Sequence, residues 1–196
     1  TAILGLGYGM GPDKFKLTLK SGSPSVEITD STALAIVSQY RAKYPNITRL
    51  WHGCKQLLFA MMNRESLNVK YGPLTVQDKA LRLPNGMHLK YPQLRYSSGE
   101  FFYFAGKTPT RTHGPRLTEN IVQALARIVI TEQMLEIHRL KEVDVVLQVH
   151  DEVVSIGSSI DQELTLQKIL SIMKTPPQWC SDIPLDAEGN FSDRYD

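Results

Sequence analysis

The segment Val143-Asp-Val-Val-Leu-Gln-Val-His150-Asp-Glu-Val-Val-Ser-Ile156 constrains the fold more than any other part of the chain. β-Branched residues on both sides of three consecutive polar ones favour strands, and a polar trio between two such runs suits a tight turn. The spacing therefore predicts two antiparallel strands joined at His150, Asp151 and Glu152. Two adjacent carboxylates at the tip of an otherwise apolar hairpin would be desolvated, and would repel each other unless a cation compensated them. Hard oxygen donors, with a phosphate completing the shell, suit Mg²⁺. A polar β-turn whose Asp and Glu face water is the other reading of Val149 to Val153.

The rest of the chain alternates between helical and hairpin texture. Asp30-Ser-Thr before Ala33-Leu-Ala-Ile-Val reads as a helix cap, with Leu34, Val37, Tyr40 and Tyr44 at helical spacing until Pro45. A second helix is predicted from about Ile47 to Met62, with Leu50, Cys54, Leu57, Leu58 and Met61 inward. From Leu67 to Phe104, short runs punctuated by Tyr71-Gly-Pro, Pro84-Asn-Gly and Ser97-Ser-Gly predict β-hairpins. A longer helix should start near Leu117 or Thr118 and reach about Leu140, its apolar face formed by Leu117, Ile121, Ala124, Leu125, Ile128 and Leu135. A last helix, about Asp161 to Lys174, leads past Pro176-Pro177 to a short strand around Ile183 to Ala187. Pro12 to Leu19 reads only as a basic, weakly periodic tail. Strands separated from most helices make the fold class α+β.

With 196 residues, 42% hydrophobic and 21% charged, the chain can bury a sizeable core without staples. Its longest uncharged apolar run, Leu57 to Met62, is far short of a bilayer span, which excludes an integral membrane protein of the helical kind. No basic region precedes an apolar stretch at the N-terminus, so nothing reads as a secretory signal. Cys54 and Cys180 lie far apart and near no ligand-spaced His, which argues against a zinc site or a disulfide framework and fits a reducing cytoplasm. The net charge of +2 hides an asymmetry: residues 1–116 hold 16 Lys and Arg against 6 Asp and Glu, while residues 117–196 hold 6 against 14. A basic half suits a polyanion such as a nucleic-acid backbone, and an acidic half suits bound cations. Two ordinary solvated surfaces would look the same.

Two further features need a physical account. Gly5, Gly7, Gly9 and Gly11 are costly in or near a helix, about 1 kcal/mol each, unless something must approach the backbone closely. Phosphate-loop spacings are absent here, which leaves a close stacking contact or a plain glycine-rich turn. On the long helix, Arg116, Asn120, Gln123 and Arg127 recur at three and four residues and form one polar stripe. Such amide and guanidinium groups suit minor-groove acceptors, which report duplex geometry more than sequence; a solvated helix face is the alternative.

Together these segments resemble family A DNA polymerases of the bacteriophage type. Val-His150-Asp151-Glu152 between apolar strands resembles motif C, the palm hairpin that holds a catalytic metal ligand. Leu4-Gly-Leu-Gly-Tyr8-Gly9-Met-Gly11 resembles the latter part of motif B, the fingers helix that closes over the incoming nucleotide. Thr118-Glu-Asn-Ile-Val-Gln123-Ala-Leu-Ala-Arg127 resembles the palm helix preceding motif C, and Pro184 through Tyr195 resembles the family's ending. The resemblance implies a fingers portion over residues 1–63, a β-hairpin insertion over 64–112 and a palm portion over 113–196. It implies Asp151 as metal ligand, with Glu152 assisting as a second catalytic carboxylate and Mg²⁺, or Mn²⁺ in its place, as cofactor. Leu4, Tyr8 and Gly9 would line the nucleotide, and His150, Gln123, Asn120, Arg127 and Arg116 would contact primer–template DNA. The implied substrates are a dNTP and a primer–template, in the cytoplasm of a host cell and with no membrane partner.

The departures matter equally. Motif A, with its Asp-Tyr-Ser strand, is not found in these residues, and aligning Tyr8-Gly9 places the motif B Lys immediately before Thr1. An N-terminal polymerase portion carrying both is therefore an expected partner, and the chain alone is expected to be inactive. Leu4 stands where familiar members have Phe or Tyr. Two alternatives remain: a catalytically silent primer–template-binding module, and a fragment of a single-subunit RNA polymerase, against which Glu152 speaks.

Overall fold

A computed structural model describes residues 2–158 and 160–195 of the chain. They fall into two compact units, Thr1–Gln123 and Ala124–Asp196. Helices mix with sheets whose strand pairings are all antiparallel, consistent with α+β.

The first unit opens with four helices, α1 (Ala2–Gly7), α2 (Pro12–Lys20), α3 (Asp30–Lys43) and α4 (Pro45–Ala60). Leu6, Phe15, Ala33 and Val37 form one buried cluster, joined by Met10, Leu19, Ile28, Ile36 and Tyr40 at its edge. α2 corrects the expectation of a weakly periodic tail: Pro12 enters at the first turn, where its missing N–H costs nothing, and Phe15 anchors the helix in that cluster. The cap of α3 is also corrected. Thr29 Oγ1 accepts from Thr32 N at 3.2 Å, while Asp30 is the first helical residue and pairs with Lys16 at 2.7 Å. Leu34 is 57% exposed rather than inward, and α3 buries Ala33 and Val37 instead.

α4 starts two residues earlier than expected, with Pro45 in its first turn. Cys54, Leu57, Leu58 and Met61 are buried as anticipated, but Trp51 is inside and Leu50 outside. Both positions border the same apolar stripe. Trp51 takes the inner place because its indole N–H finds the Gly7 carbonyl at 3.2 Å, tying α4 to the end of α1.

Between the helices the anticipated hairpins form two sheets. The first is a meander of β1 (Lys70–Tyr71), β2 (Leu74–Gln77), β3 (Ala80–Arg82) and β4 (His88–Lys90); the second contains β5 (Arg95–Ser97), β6 (Glu100–Ala105) and β7 (Thr108–Thr112). Gly72, Gly86 and Gly99 each take a positive φ in the loops that join these strands. Phe59 of α4 stands edge-on to Phe101 and Tyr96, seating the second sheet against the helix.

The long helix α5 (Gly114–His138) begins three residues before its expected start, and the boundary between the units falls within it. Its buried face changes along its length. Leu117, Thr118, Ile121 and Ile128 are buried on one side, then Ile130, Gln133 and Ile137 on the opposite one. Leu135 continues the first side into the second stretch and is therefore 53% exposed, against expectation.

In the second unit, β8 (Val143–Val149) and β9 (Glu152–Gly157) form the anticipated hairpin, with a bulge between Val145 and Leu147, and α6 (Gln162–Lys174) follows. The expected strand at 183–187 does not form among the described residues. That segment is irregular, and the Lys174–Asp186 ion pair at 2.9 Å links it to α6.

Candidate active site

In the second unit the last ladder pair of the hairpin is Val149 with Glu152, so His150 and Asp151 make a two-residue loop. Such loops follow the twist of the strands when the first loop residue is left-handed, a place glycine usually takes. His150 occupies it with φ of 54°. Gln148, two residues earlier, donates its side-chain amide to the His150 carbonyl, and Arg127 of α5 donates to the Gln148 side-chain oxygen. The loop is thus tied to the helix through one glutamine. At the other end of the turn, Tyr195 donates its hydroxyl to Glu152 at 3.2 Å, and the negative charge of Glu152 raises that phenol above its ordinary pKa.

Asp151 and Glu152 are both exposed, which corrects the expected desolvation of the pair. The hairpin itself is open to solvent, with Val146, Leu147, Val149 and Ile156 all more than a third exposed, so water reaches its tip and no local cation is needed to offset repulsion. Among the described residues no three His, Cys, Asp or Glu side chains gather into a metal-binding group. The two carboxylates fit Mg²⁺ as hard oxygen donors supplying part of a shell, the remainder of which would come from other oxygens.

The backbone of His150 makes a testable point. Replacing His150 with Gly should leave the fold equally stable or stabilise it by up to about 1 kcal/mol, because only glycine holds a left-handed conformation without a steric cost. Thermal melts of the variant check this. A melting temperature well below wild type would mean that the imidazole itself holds the turn.

In the first unit, α1 stops at the anticipated Tyr-Gly pair. Tyr8 N donates back to the Leu4 carbonyl at 3.3 Å, and Gly9 turns the chain with φ of 85°. A Cβ at Gly9 would stand 2.7 Å from the Pro115 side chain, so the close approach that the glycines called for is here an approach to the start of α5. Leu4 is 66% exposed and Tyr8 is partly buried. Of the stripe residues, Arg116 and Gln123 are exposed, while the Asn120 amide donates to the Tyr91 hydroxyl at 2.8 Å. Tyr91 is buried, and burial pushes its phenol up to about 12 despite that bond.

Sequence reasoning did not find a cavity of about 350 Å³ in the first unit, bordered by Gly9, Trp51, Lys55, Arg111, Thr112 and His113. Burial, with Arg116 and Arg111 nearby, lowers the His113 pKa below the usual histidine range. Nothing in the spacing of these residues brings them together; they come from separate elements. Gln148 was also missed, although strand alternation places it on the same side of β8 as His150.

No family model matches the chain, and no solved structure matches it. Over 211 aligned residues it is 27% identical to the DNA polymerase of Bacillus phage SP02. The match covers 99% of this chain and 31% of that protein, so the chain spans under a third of the relative's length. It is a distant relative of a phage DNA polymerase. No helix among the described residues is long and apolar enough to cross a membrane.

Proposed function

We propose that the chain is the C-terminal fingers-and-palm portion of a family A DNA polymerase, acting in templated nucleotidyl transfer to a primer 3′-hydroxyl by two-metal chemistry. The observation that carries this reading is the His150-Asp151-Glu152 turn at the tip of an antiparallel hairpin, within a chain matched along nearly its whole length to a phage polymerase. In this reading Asp151 holds Mg²⁺ with Glu152 beside it, His150 meets the primer end, and Leu4, Tyr8 and Gly9 line the dNTP. When bound, the metal would stabilise charge on the attacking and leaving oxygens. A motif A carboxylate and the motif B Arg and Lys would come from an N-terminal portion.

Of the stripe residues, Arg116, Gln123 and Arg127 are exposed. Gln123→Ala and Arg127→Ala should each weaken primer–template binding about five- to tenfold, by a similar factor on any sequence, because minor-groove acceptors are degenerate. Fluorescence anisotropy with A·T-rich and G·C-rich duplexes tests this. Loss on one composition alone would count against the reading. Since Arg127 also holds Gln148, Arg127→Ala carries a second effect on the loop that Gln123→Ala lacks.

A further inference from the structure

The sheet β5–β6–β7 has a second face, partly exposed, where aromatic rings lie among cations. Strand alternation places Phe101 and Tyr103 on one side of β6 and Phe102 and Phe104 on the other. The first side is the core side: Phe101 is buried against Phe59 and Tyr96, and Tyr103 stands edge-on to Tyr91. On the second side, Phe102 and Phe104 lie outside the buried core and touch no other aromatic ring among the described residues.

The register puts cations directly beside these rings. Arg95 and Arg111 are both paired opposite Phe102, one from each neighbouring strand, so the three share one face in a single row. Arg95 reaches diagonally across so that its guanidinium lies 5.6 Å from the Phe104 ring centre. Among the described residues it has no acidic partner. Arg111 pairs with Glu100, the acidic side chain of the same face. Lys107, exposed in the β6–β7 turn, adds a further cation, without an ion pair among the described residues.

We propose that this face is a stacking platform for single-stranded nucleic acid. Two rings on adjacent same-face positions offer π-faces to successive bases, and flanking arginines can hold the phosphates between them. Phe102 and Phe104 are partly exposed between these cations, and the surrounding positive charge matches a polyanion. The platform lies on the inserted hairpins. It does not depend on the chemistry assigned to Asp151, and it is tested without any nucleotide incorporation.

The test uses the full chain and a fluorescein-labelled oligo(dT) of about a dozen nucleotides, in line with single-strand site sizes of about 4–16. Phe102→Ala combined with Phe104→Ala should weaken oligo(dT) binding by about tenfold or more, with a smaller effect on a blunt duplex. Phe102→Leu with Phe104→Leu keeps most of the apolar volume and removes the rings, so it should show the same loss even where the alanine pair unfolds. Arg95→Gln should weaken binding and reduce the salt slope by about 0.7, as for one lost phosphate contact on a single strand. Glu100→Gln, which frees Arg111, should instead tighten binding by about two- to fivefold. Unchanged oligo(dT) affinity in the folded leucine pair would overturn the proposal. So would equal losses on single strand and duplex, or a change of oligomeric state in place of a change in DNA binding, which would make the face a contact between copies of this chain. Extension by an Asp151 variant reads the polymerase assignment separately.

Discussion

Asp151→Ala is expected to abolish primer extension, by at least about a thousandfold, in a polymerase formed by joining this chain to a segment that supplies the Asp-Tyr-Ser strand and the motif B Arg and Lys. That factor corresponds to about 4 kcal/mol of transition-state stabilisation, within what a metal-held phosphoryl transfer draws from its ligands. Primer–template affinity should change by less than about threefold, because Asp151 sits on an exposed two-residue loop and holds up no core packing. In the proposed reading the chain by itself should incorporate no nucleotide above background, since the motif A carboxylate and the motif B Arg and Lys come from another segment. Gel extension assays with and without the supplied segment measure all three quantities. Robust synthesis by the isolated chain would sink the assignment of motif A to another segment. No synthesis with any supplied segment, despite normal folding and DNA binding, would favour a silent binding module.

Gly114→Ala is expected to have the largest effect on stability. A Cβ there would stand 2.1 Å from the Trp51 carbonyl oxygen, 3.1 Å from its carbonyl carbon and 3.2 Å from Lys55 N. All three are backbone atoms of α4, so no side-chain rotation relieves the clash. The start of α5 would have to move away from α4, opening the cavity edge that Gly114 shares with Trp51 and Lys55. A backbone clash of this kind costs about 3 kcal/mol, and at about 2–4 °C per kcal/mol the melting temperature should fall by about 6–12 °C. Gly11→Ala is the control: a Cβ there meets nothing within 4 Å, and its φ of −83° is ordinary. A Gly114→Ala melt within about 2 °C of wild type would show that the two helices do not approach as closely as described.

The hairpin at 143–157 and the turns at Gly72, Gly86 and Gly99 were legible from residue order alone, because strand alternation and turn chemistry are local. A two-residue loop between β-branched runs has few other conformations. Helix existence was legible for α3 to α6 on the same grounds, through apolar spacing and flanking prolines. Which side of each helix is buried was less so. Leu34, Leu50 and Leu135 sit on plausible apolar stripes yet are exposed, because the neighbours that would cover them are decided by distant segments. Trp51 displaced Leu50 through a bond to Gly7, and α5 turns its second half to bury the opposite side. The candidate site divides in the same way. The adjacency of His150, Asp151 and Glu152 is covalent and so was fixed by the sequence, whereas their exposure, the link from Arg127 through Gln148, and Tyr195 on Glu152 were not. Local order determines which backbone conformations are cheap. Solvation and long-range hydrogen bonds depend on which parts of the chain meet, and only the tertiary structure decides that.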